Sequence, residues 1–247
     1  MATRERLDQR LVDLGLCASR ARARDAVLRG TVTVDGRTAT KPGQPVDLTA
    51  KIEISDPAGA YVSRAALKLI AALDGFGVSP AGRTCLDVGA STGGFTQVLL
   101  ERGAARVHAI DVGHGQMHES ISNDPRVNRR DGLNARDLTA QDLENTAPSL
   151  IVSDVSFISL KLALPPALAL AAPGAEALLL VKPQFEVGRE GVGKGGLVAP
   201  DRAEASAGEL RDWLDTLPGW QALGLLPSPV TGGDGNREFL LHGRKTS

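Results

Sequence analysis

Leu7, Leu11 and Leu14 recur at helical spacing and Gly15 follows, which predicts a short amphipathic helix with a glycine stop. Ser19 is placed to cap a second helix, whose apolar side carries Ala23, Ala26 and Val27 and which Gly30 ends. Val32 and Val34 then alternate ahead of Asp35-Gly36, a strong short-range hairpin signal. Helix, helix and hairpin make a module of about fifty residues, near the lower limit for independent stability. Turn chemistry at Asp56-Pro57-Ala58-Gly59 marks a linker. The expected organisation is a small α+β domain over 1–54, a linker over 55–62 and a larger domain over 63–247.

Beyond the linker, short apolar runs alternate with helical patterns. Strands are expected over 84–88, 106–111, 150–154 and 177–182, and helices over 63–73 and 94–102. A further helix precedes Pro218, where Leu210, Trp213, Leu214 and Leu217 share one face. Such alternation predicts an α/β fold, a Rossmann-like, mainly parallel sheet covered on both faces. Two late apolar runs, 222–226 and 238–242, leave no room for a helix between them. They are expected to pair antiparallel and to supply an antiparallel strand at the sheet edge.

Composition narrows the classes. The chain has 247 residues, is 42% hydrophobic and 3% aromatic, and balances 28 basic against 29 acidic side chains. That is too apolar and too even in charge for a disordered protein. No apolar run reaches the roughly 18 residues a membrane span needs, and the nearest, 162–173, contains Pro165 and Pro166. Nothing at the N-terminus resembles an export signal, and Cys17 and Cys85 make no disulfide framework, so a cytoplasmic protein is expected. No membrane partner is implied, and a monomer is favoured. The net charge of -1 is an average, however. Up to Lys41 the basic residues Arg4, Arg6, Arg10, Arg20, Arg22, Arg24, Arg29, Arg37 and Lys41 outnumber the acids Glu5, Asp8, Asp13, Asp25 and Asp35 by nine to five. A nucleic-acid partner therefore stays open.

The string CLDVGASTGGFTQVLLERG, over 85–103, runs from an apolar strand through Gly89, Gly93 and Gly94 into a helix. A glycine turn after a first strand lets backbone approach a ligand, and the helix N-terminus favours polar groups. The G-x-x-x-G-G spacing is not the G-x-G-x-x-G of dinucleotide enzymes. The next strand ends in Asp111, at the offset where an acid grips ribose hydroxyls. Together they read as a nucleoside site, with S-adenosylmethionine ahead of NAD. A second glycine stretch, 188–194, nearly matches a triphosphate-binding loop. Gly195 stands where a hydroxyl is needed, and Pro200 is expected to interrupt any following helix, so a mobile loop near a substrate channel is expected instead.

Lysine is scarce, seven against 21 arginines, so its positions are informative. Lys182 and Asp154 end apolar strands, Lys68 interrupts an apolar helix, and Glu238 begins the last strand. Any one of these charges would ordinarily be solvated; together they are expected to form a two-lysine, two-carboxylate cluster at one rim of the sheet. Such a cluster suits methylation of a ribose hydroxyl, a poor nucleophile until a base takes its proton. Lysine titrates near 10.4 in water, and burial or a second ammonium lowers it. No metal is required, and His108, His114, His118 and His242 lack ligand spacing.

The strings SRAALKL, LDVGASTGGFTQVLL, IDVGHGQ, NDPRV, SDVSFISL, VKPQFEVG and GNREF occur in that order. The chain resembles the TlyA family, in which a ribosomal-RNA methyltransferase domain of the FtsJ type follows an S4-like RNA-binding domain. The N-terminal string RLDQRLVDLGLCASRARARDAVLRGTVTVDG is similar to the latter. The resemblance implies transfer of a methyl group from S-adenosylmethionine to the ribose 2'-hydroxyl of cytidine in 16S or 23S ribosomal RNA, or both. It implies a catalytic tetrad of Lys68, Asp154, Lys182 and Glu238. The cofactor would be held by Asp87, Gly89, Ala90, Ser91, Gly93, Gly94 and Asp111, with Asp131 near the adenine. Arg6, Arg20 and Lys41 are the expected RNA phosphate contacts. With so few aromatic residues, RNA shape rather than base stacking is expected to carry recognition. Some family members have been called haemolysins, which makes membrane lysis one alternative, and a catalytically inactive RNA-binding protein another. A pseudouridine synthase is disfavoured: Arg6-Leu7-Asp8 matches only a fragment of that signature and falls in the first helix.

Overall fold

The repeats at the start of the chain build a helix–helix–sheet unit. The computed structural model describes residues 4–246, so the outermost residues of the two expected domains, 1–3 and 247, lie outside the described residues. The chain divides after Ala60. In the first unit, strand β1 (Arg4–Arg6) leads into helix α1 (Leu7–Asp13) and helix α2 (Arg20–Leu28). Ser19 caps α2 by accepting the Arg22 N–H at 3.3 Å. Strands β2 (Val32–Val34) and β3 (Arg37–Thr38) form the hairpin. Strand β4 (Pro45–Asp47) pairs antiparallel with β1, and β5 (Ile52–Ile54) with β2. Leu7, Leu11, Ala26, Val27 and Val32 form the core. Within the stretch expected as linker, Pro57–Ala60 makes a 3-10 turn. Arg29 pairs with Asp56, and Arg22 Nη2 donates to the Ala58 carbonyl at 3.2 Å, so this turn is tied to α2.

The second unit opens with helix α3 (Ala66–Phe76), three residues later than expected. Its entry is taken by turns in which Ser63 Oγ accepts the Ala65 N–H at 3.2 Å. Then come strand β6 (Thr84–Val88), helix α4 (Gly94–Glu101), strand β7 (Arg106–Asp111), helix α5 (Glu119–Ser122) and strand β8 (Val127–Asp131). Strand β9 (Leu150–Ser153), helices α6 (Leu160–Ala163) and α7 (Pro165–Leu170), and strand β10 (Glu176–Val181) follow. Helix α8 (Pro200–Asp215) and strands β11 (Trp220–Pro227) and β12 (Phe239–Lys245) complete the unit. Pro200 does not interrupt a helix: it is the first residue of α8, where its missing N–H costs nothing and its fixed φ suits the helix.

The sheet order is β11-β12-β10-β9-β6-β7-β8. Strands β6 to β10 run parallel, and β12 runs antiparallel to both β10 and β11. The two late strands thus pair as expected, with β11 outermost. Period-two alternation divides the core: Ala177, Leu179 and Val181 of β10 face one layer with α6, α7 and α8, while Leu178 and Leu180 face the other with α3 and α4. Strand β8 was not expected; it lies at the sheet edge and reads VNRRD, without an apolar run. After β6 the chain builds outward to β7 and β8, then crosses back to β9. The strand order reverses between β6 and β9, and the crevice beyond their carboxyl ends is where open α/β sheets hold ligands.

Candidate active site

Two adjoining cavities occupy that crevice. The larger, about 490 Å3, lies among the loop after β6, the end of β7, residues 133–135 and the loop after β9. Leu133, Ala135 and Ile158 give it apolar walls, and Asp111, Asn134, Gln116 and Ser156 supply polar groups. The smaller, about 130 Å3, is lined by Ser63, the glycine loop, Asp154, Ser156 and Lys182. Gly89, Ser91, Asp154 and Ser156 border both.

The glycine loop is shaped by backbone that resists other residues. Gly89 and Gly93 take φ of 86° and 94°, and Gly93 precedes the first turn of α4. A β-carbon on Gly94 would lie 2.9 Å from the Ser63 Cβ. The Ser91 N–H donates to Asp111 Oδ2 at 2.8 Å, and the Gly113 N–H to Oδ1 at 2.7 Å, so Asp111 joins two loops at the cavity wall. Ala90 and Gly94 line the smaller cavity.

Two of the expected cofactor residues stand off the walls. Asp87 is fully buried in β6 and accepts the Thr96 hydroxyl at 2.7 Å, behind the glycine loop, while its other oxygen has no partner. Burial pushes its carboxyl up to about 7, and the charges of Asp154 and Asp111 add to the shift. Asp131 is the register partner of Asp111 across β7 and β8, accepts the Gly115 N–H at 2.8 Å and pairs with Arg129 at 3.3 Å. Leu133, Asn134 and Ala135, just beyond it, line the cleft instead.

The four charged residues singled out by their strand and helix positions form two ion pairs. Lys182 Nζ stands 2.6 Å from Asp154 Oδ1 and donates to Ser156 Oγ at 2.8 Å. Lys68, on α3, pairs with Glu238, which leads into β12. Lys68, Lys182 and Glu238 are all buried. Burial raises the Glu238 carboxyl above the usual range; Lys68 and Lys182 pull it down and Asp154 pushes it up, so its charge environment joins both pairs. Gly232 crowds the same carboxylate: a β-carbon there would lie 2.9 Å from Glu238 Oε1.

The loop over 188–196 holds two 3-10 turns, Arg189–Gly191 and Lys194–Gly196. The buried Asn236 ties it down, donating to the Gly196 carbonyl and accepting the Val198 N–H, each at 2.8 Å. Sequence reading missed Ser156 and Phe157. Phe157 is 89% exposed at the larger cavity, with φ +66, and its ring lies 5.2 Å from that of Phe185. Glu186, just after β10, fastens to the segment after β9, accepting the Ser159 hydroxyl at 2.6 Å and the Leu160 N–H at 2.8 Å. In the first unit, Arg6 and Arg20 share the buried acid Asp8, and Lys41 begins the turn that closes with the Gln44 N–H on its carbonyl at 3.1 Å.

Residues 61–245 match the FtsJ-like methyltransferase model and residues 5–52 the S4 domain model. These matches define the class: a methyltransferase fold preceded by an S4 domain. The chain is 46% identical over 242 residues to the 16S/23S rRNA (cytidine-2'-O)-methyltransferase TlyA of Mycobacterium tuberculosis, covering 98% of this chain and 90% of that one. It is 39% identical to Hemolysin A of Brachyspira hyodysenteriae, over 96% of this chain and 98% of the other. A solved structure from Streptococcus thermophilus, provisionally named a hemolysin, matches with a TM-score of 0.76 and 37% identity, covering 100% of this chain and 90% of that one. The chain belongs to the TlyA family of FtsJ-like methyltransferases. Among the described residues, no helix is long and apolar enough to cross a membrane.

Proposed function

We propose that the protein is a cytoplasmic ribosomal-RNA methyltransferase that uses S-adenosylmethionine to methylate the ribose 2'-hydroxyl of cytidine, in 16S or 23S RNA or both. The observation that carries this reading is the Lys182–Asp154 contact at the margin of two joined cavities, backed by the buried Lys68–Glu238 pair, whose carboxylate feels both Lys182 and Asp154. Relatives named for the same reaction over nearly the whole chain support it.

The larger cleft fits the cofactor. Its apolar walls suit a purine, and Asp111 at a strand end suits ribose hydroxyls. When bound, that cofactor supplies an electrophilic methyl group on a sulfonium. The protein's own residues do the rest. Lys182 borders the smaller cavity, where the ribose hydroxyl would enter; as its neutral amine, with its own proton passed to Asp154 or to water, it would accept the hydroxyl proton. Asp154 and Ser156 fix the direction of the Lys182 amine. Lys68 and Glu238 keep the cluster close to neutral and hold α3 against the start of β12. Alignment of hydroxyl and methyl group supplies much of the acceleration. Phe157, exposed beside the cleft, offers a face on which the cytosine ring stacks.

Incubating the purified chain with separated ribosomal subunits and methyl-labelled cofactor, then mapping ribose methylation by mass spectrometry, tests the reading. Label on a cytidine 2'-oxygen is expected. Label only on a base, or none on either subunit, would overturn it.

A further inference from the structure

Arg6-Leu7-Asp8, a fragment of another enzyme's signature, has its own role in the first unit. Asp8 lies in the first turn of α1 with its side chain 1% exposed. Its carboxylate accepts three hydrogen bonds from two arginines: Arg6 Nε at 3.0 Å, Arg6 Nη2 at 2.9 Å and Arg20 Nη2 at 3.1 Å. Both arginines remain open to solvent, at 56% and 54% exposure. The Arg6 and Arg20 guanidinium groups hold the Asp8 carboxyl down at about 2, so the acid stays ionised throughout the physiological range.

The rest of the neighbourhood limits motion further. A β-carbon on Gly43 would lie 2.9 Å from Arg6 Nη1 and Nη2, so the guanidinium rests on bare backbone. That turn is fastened to α1, with the Leu7 N–H donating to the Gln44 carbonyl at 3.0 Å and the Asp8 N–H to the Pro42 carbonyl at 2.9 Å. A guanidinium has five N–H donors; Arg6 spends two on Asp8 and Arg20 spends one. The remaining donors belong to side chains that stay more than half exposed, and the shared carboxylate restricts their rotamers before any ligand arrives.

We propose that Asp8 is a positioning residue that fixes Arg6 and Arg20 as a fork for RNA phosphates. The proposal rests on the reading of this unit as RNA-binding. It runs against simple charge counting, under which removal of an acid from a basic surface tightens binding to a polyanion.

Binding of the full chain to ribosomal subunits, titrated with KCl, tests it on wild type, Asp8→Asn, Arg6→Ala/Arg20→Ala and the triple variant. Asp8→Asn should weaken binding about five- to tenfold despite the added positive charge. In the background lacking both arginines the same change should cost less than about twofold, because the fork is already gone. A structural role alone would carry its full loss into both backgrounds. Unchanged or tighter binding by Asp8→Asn, or full additivity, overturns the proposal. If circular dichroism shows that Asp8→Asn does not fold, Arg6→Lys takes its place: it keeps the charge and loses the two-pronged grip. Wild-type affinity in that variant likewise overturns the fork. Unchanged binding by Arg6→Ala/Arg20→Ala removes the RNA reading of this unit itself, and the fork with it, whereas weakened binding there with Asp8→Asn unaffected removes the fork alone.

Discussion

A β-carbon on Gly89 would lie 3.1 Å from both the carbonyl carbon and the carbonyl oxygen of Asp154, so the loops leaving β6 and β9 meet through bare backbone. Gly89 also takes φ +86, which costs other residues about 1–2 kcal/mol before any clash. Gly89→Ala should therefore lower stability by at least about that amount and push Asp154 out of line with Lys182. Urea unfolding and calorimetric titration with S-adenosylmethionine check both effects. Unchanged stability with full cofactor affinity would count against the close approach.

Lys182→Ala should reduce methyl transfer by about a hundredfold or more while leaving affinity for ribosomal subunits near wild type. Lys182→Arg should be equally inactive, since a guanidinium does not give up its proton near neutral pH. Single-turnover rates and filter binding separate the two effects. Wild-type turnover in either variant would remove Lys182 from the chemistry.

Asp87 gives a signed pH dependence. An aspartate in an unfolded chain titrates near 3.9, whereas burial raises this one to about 7. The folded state then binds the proton more tightly, so this group's contribution is fully present below about pH 4 and is lost as pH rises through about 7. Asp87→Asn keeps an oxygen for the Thr96 hydroxyl and removes the titration. Its Tm should match wild type near pH 4 and exceed it at pH 8. A difference in Tm that does not change with pH would place the effect elsewhere.

Phe157→Ala should leave unfolding unchanged, because a ring 89% exposed contributes little burial. The same change should raise KM for the RNA at least about fivefold, the low end of a base–aromatic stacking loss of about 1–3 kcal/mol. Steady-state kinetics on ribosomal subunits give the answer. An unchanged KM would show that Phe157 does not meet the substrate base.

The parallel sheet was legible because buried strands such as LLLV in β10 and LIV in β9 carry unbroken apolar runs, and the glycine loop because Gly89, Gly93 and Gly94 lie between a strand and a helix pattern. The two ion pairs were legible because lysines and acids at strand ends and in an apolar helix are conspicuous. Strand β8 escaped notice because VNRRD, at the sheet edge, has no apolar run to mark it. Phe157 escaped for a different reason. Its left-handed backbone is rare for an aromatic residue, and its neighbours are tertiary, the tilted Phe185 ring and Glu186 gripping Ser159. Asp87 lies between Leu86 and Val88 in a strand covered on both faces, so its distance from the cavity walls needed the sheet, not the motif.

Strand β12 enters the sheet between β10 and β11, bringing Glu238 to a lysine 170 positions earlier in the chain. A growing polypeptide therefore emerges with β6, β7 and β9, which with the loops after them supply walls of the larger cleft, well before it has the Lys68–Glu238 pair. Synthesis order thus sets the walls of the cleft ahead of the second ion pair. Only a protein that has threaded its final strand into the interior of the sheet carries both.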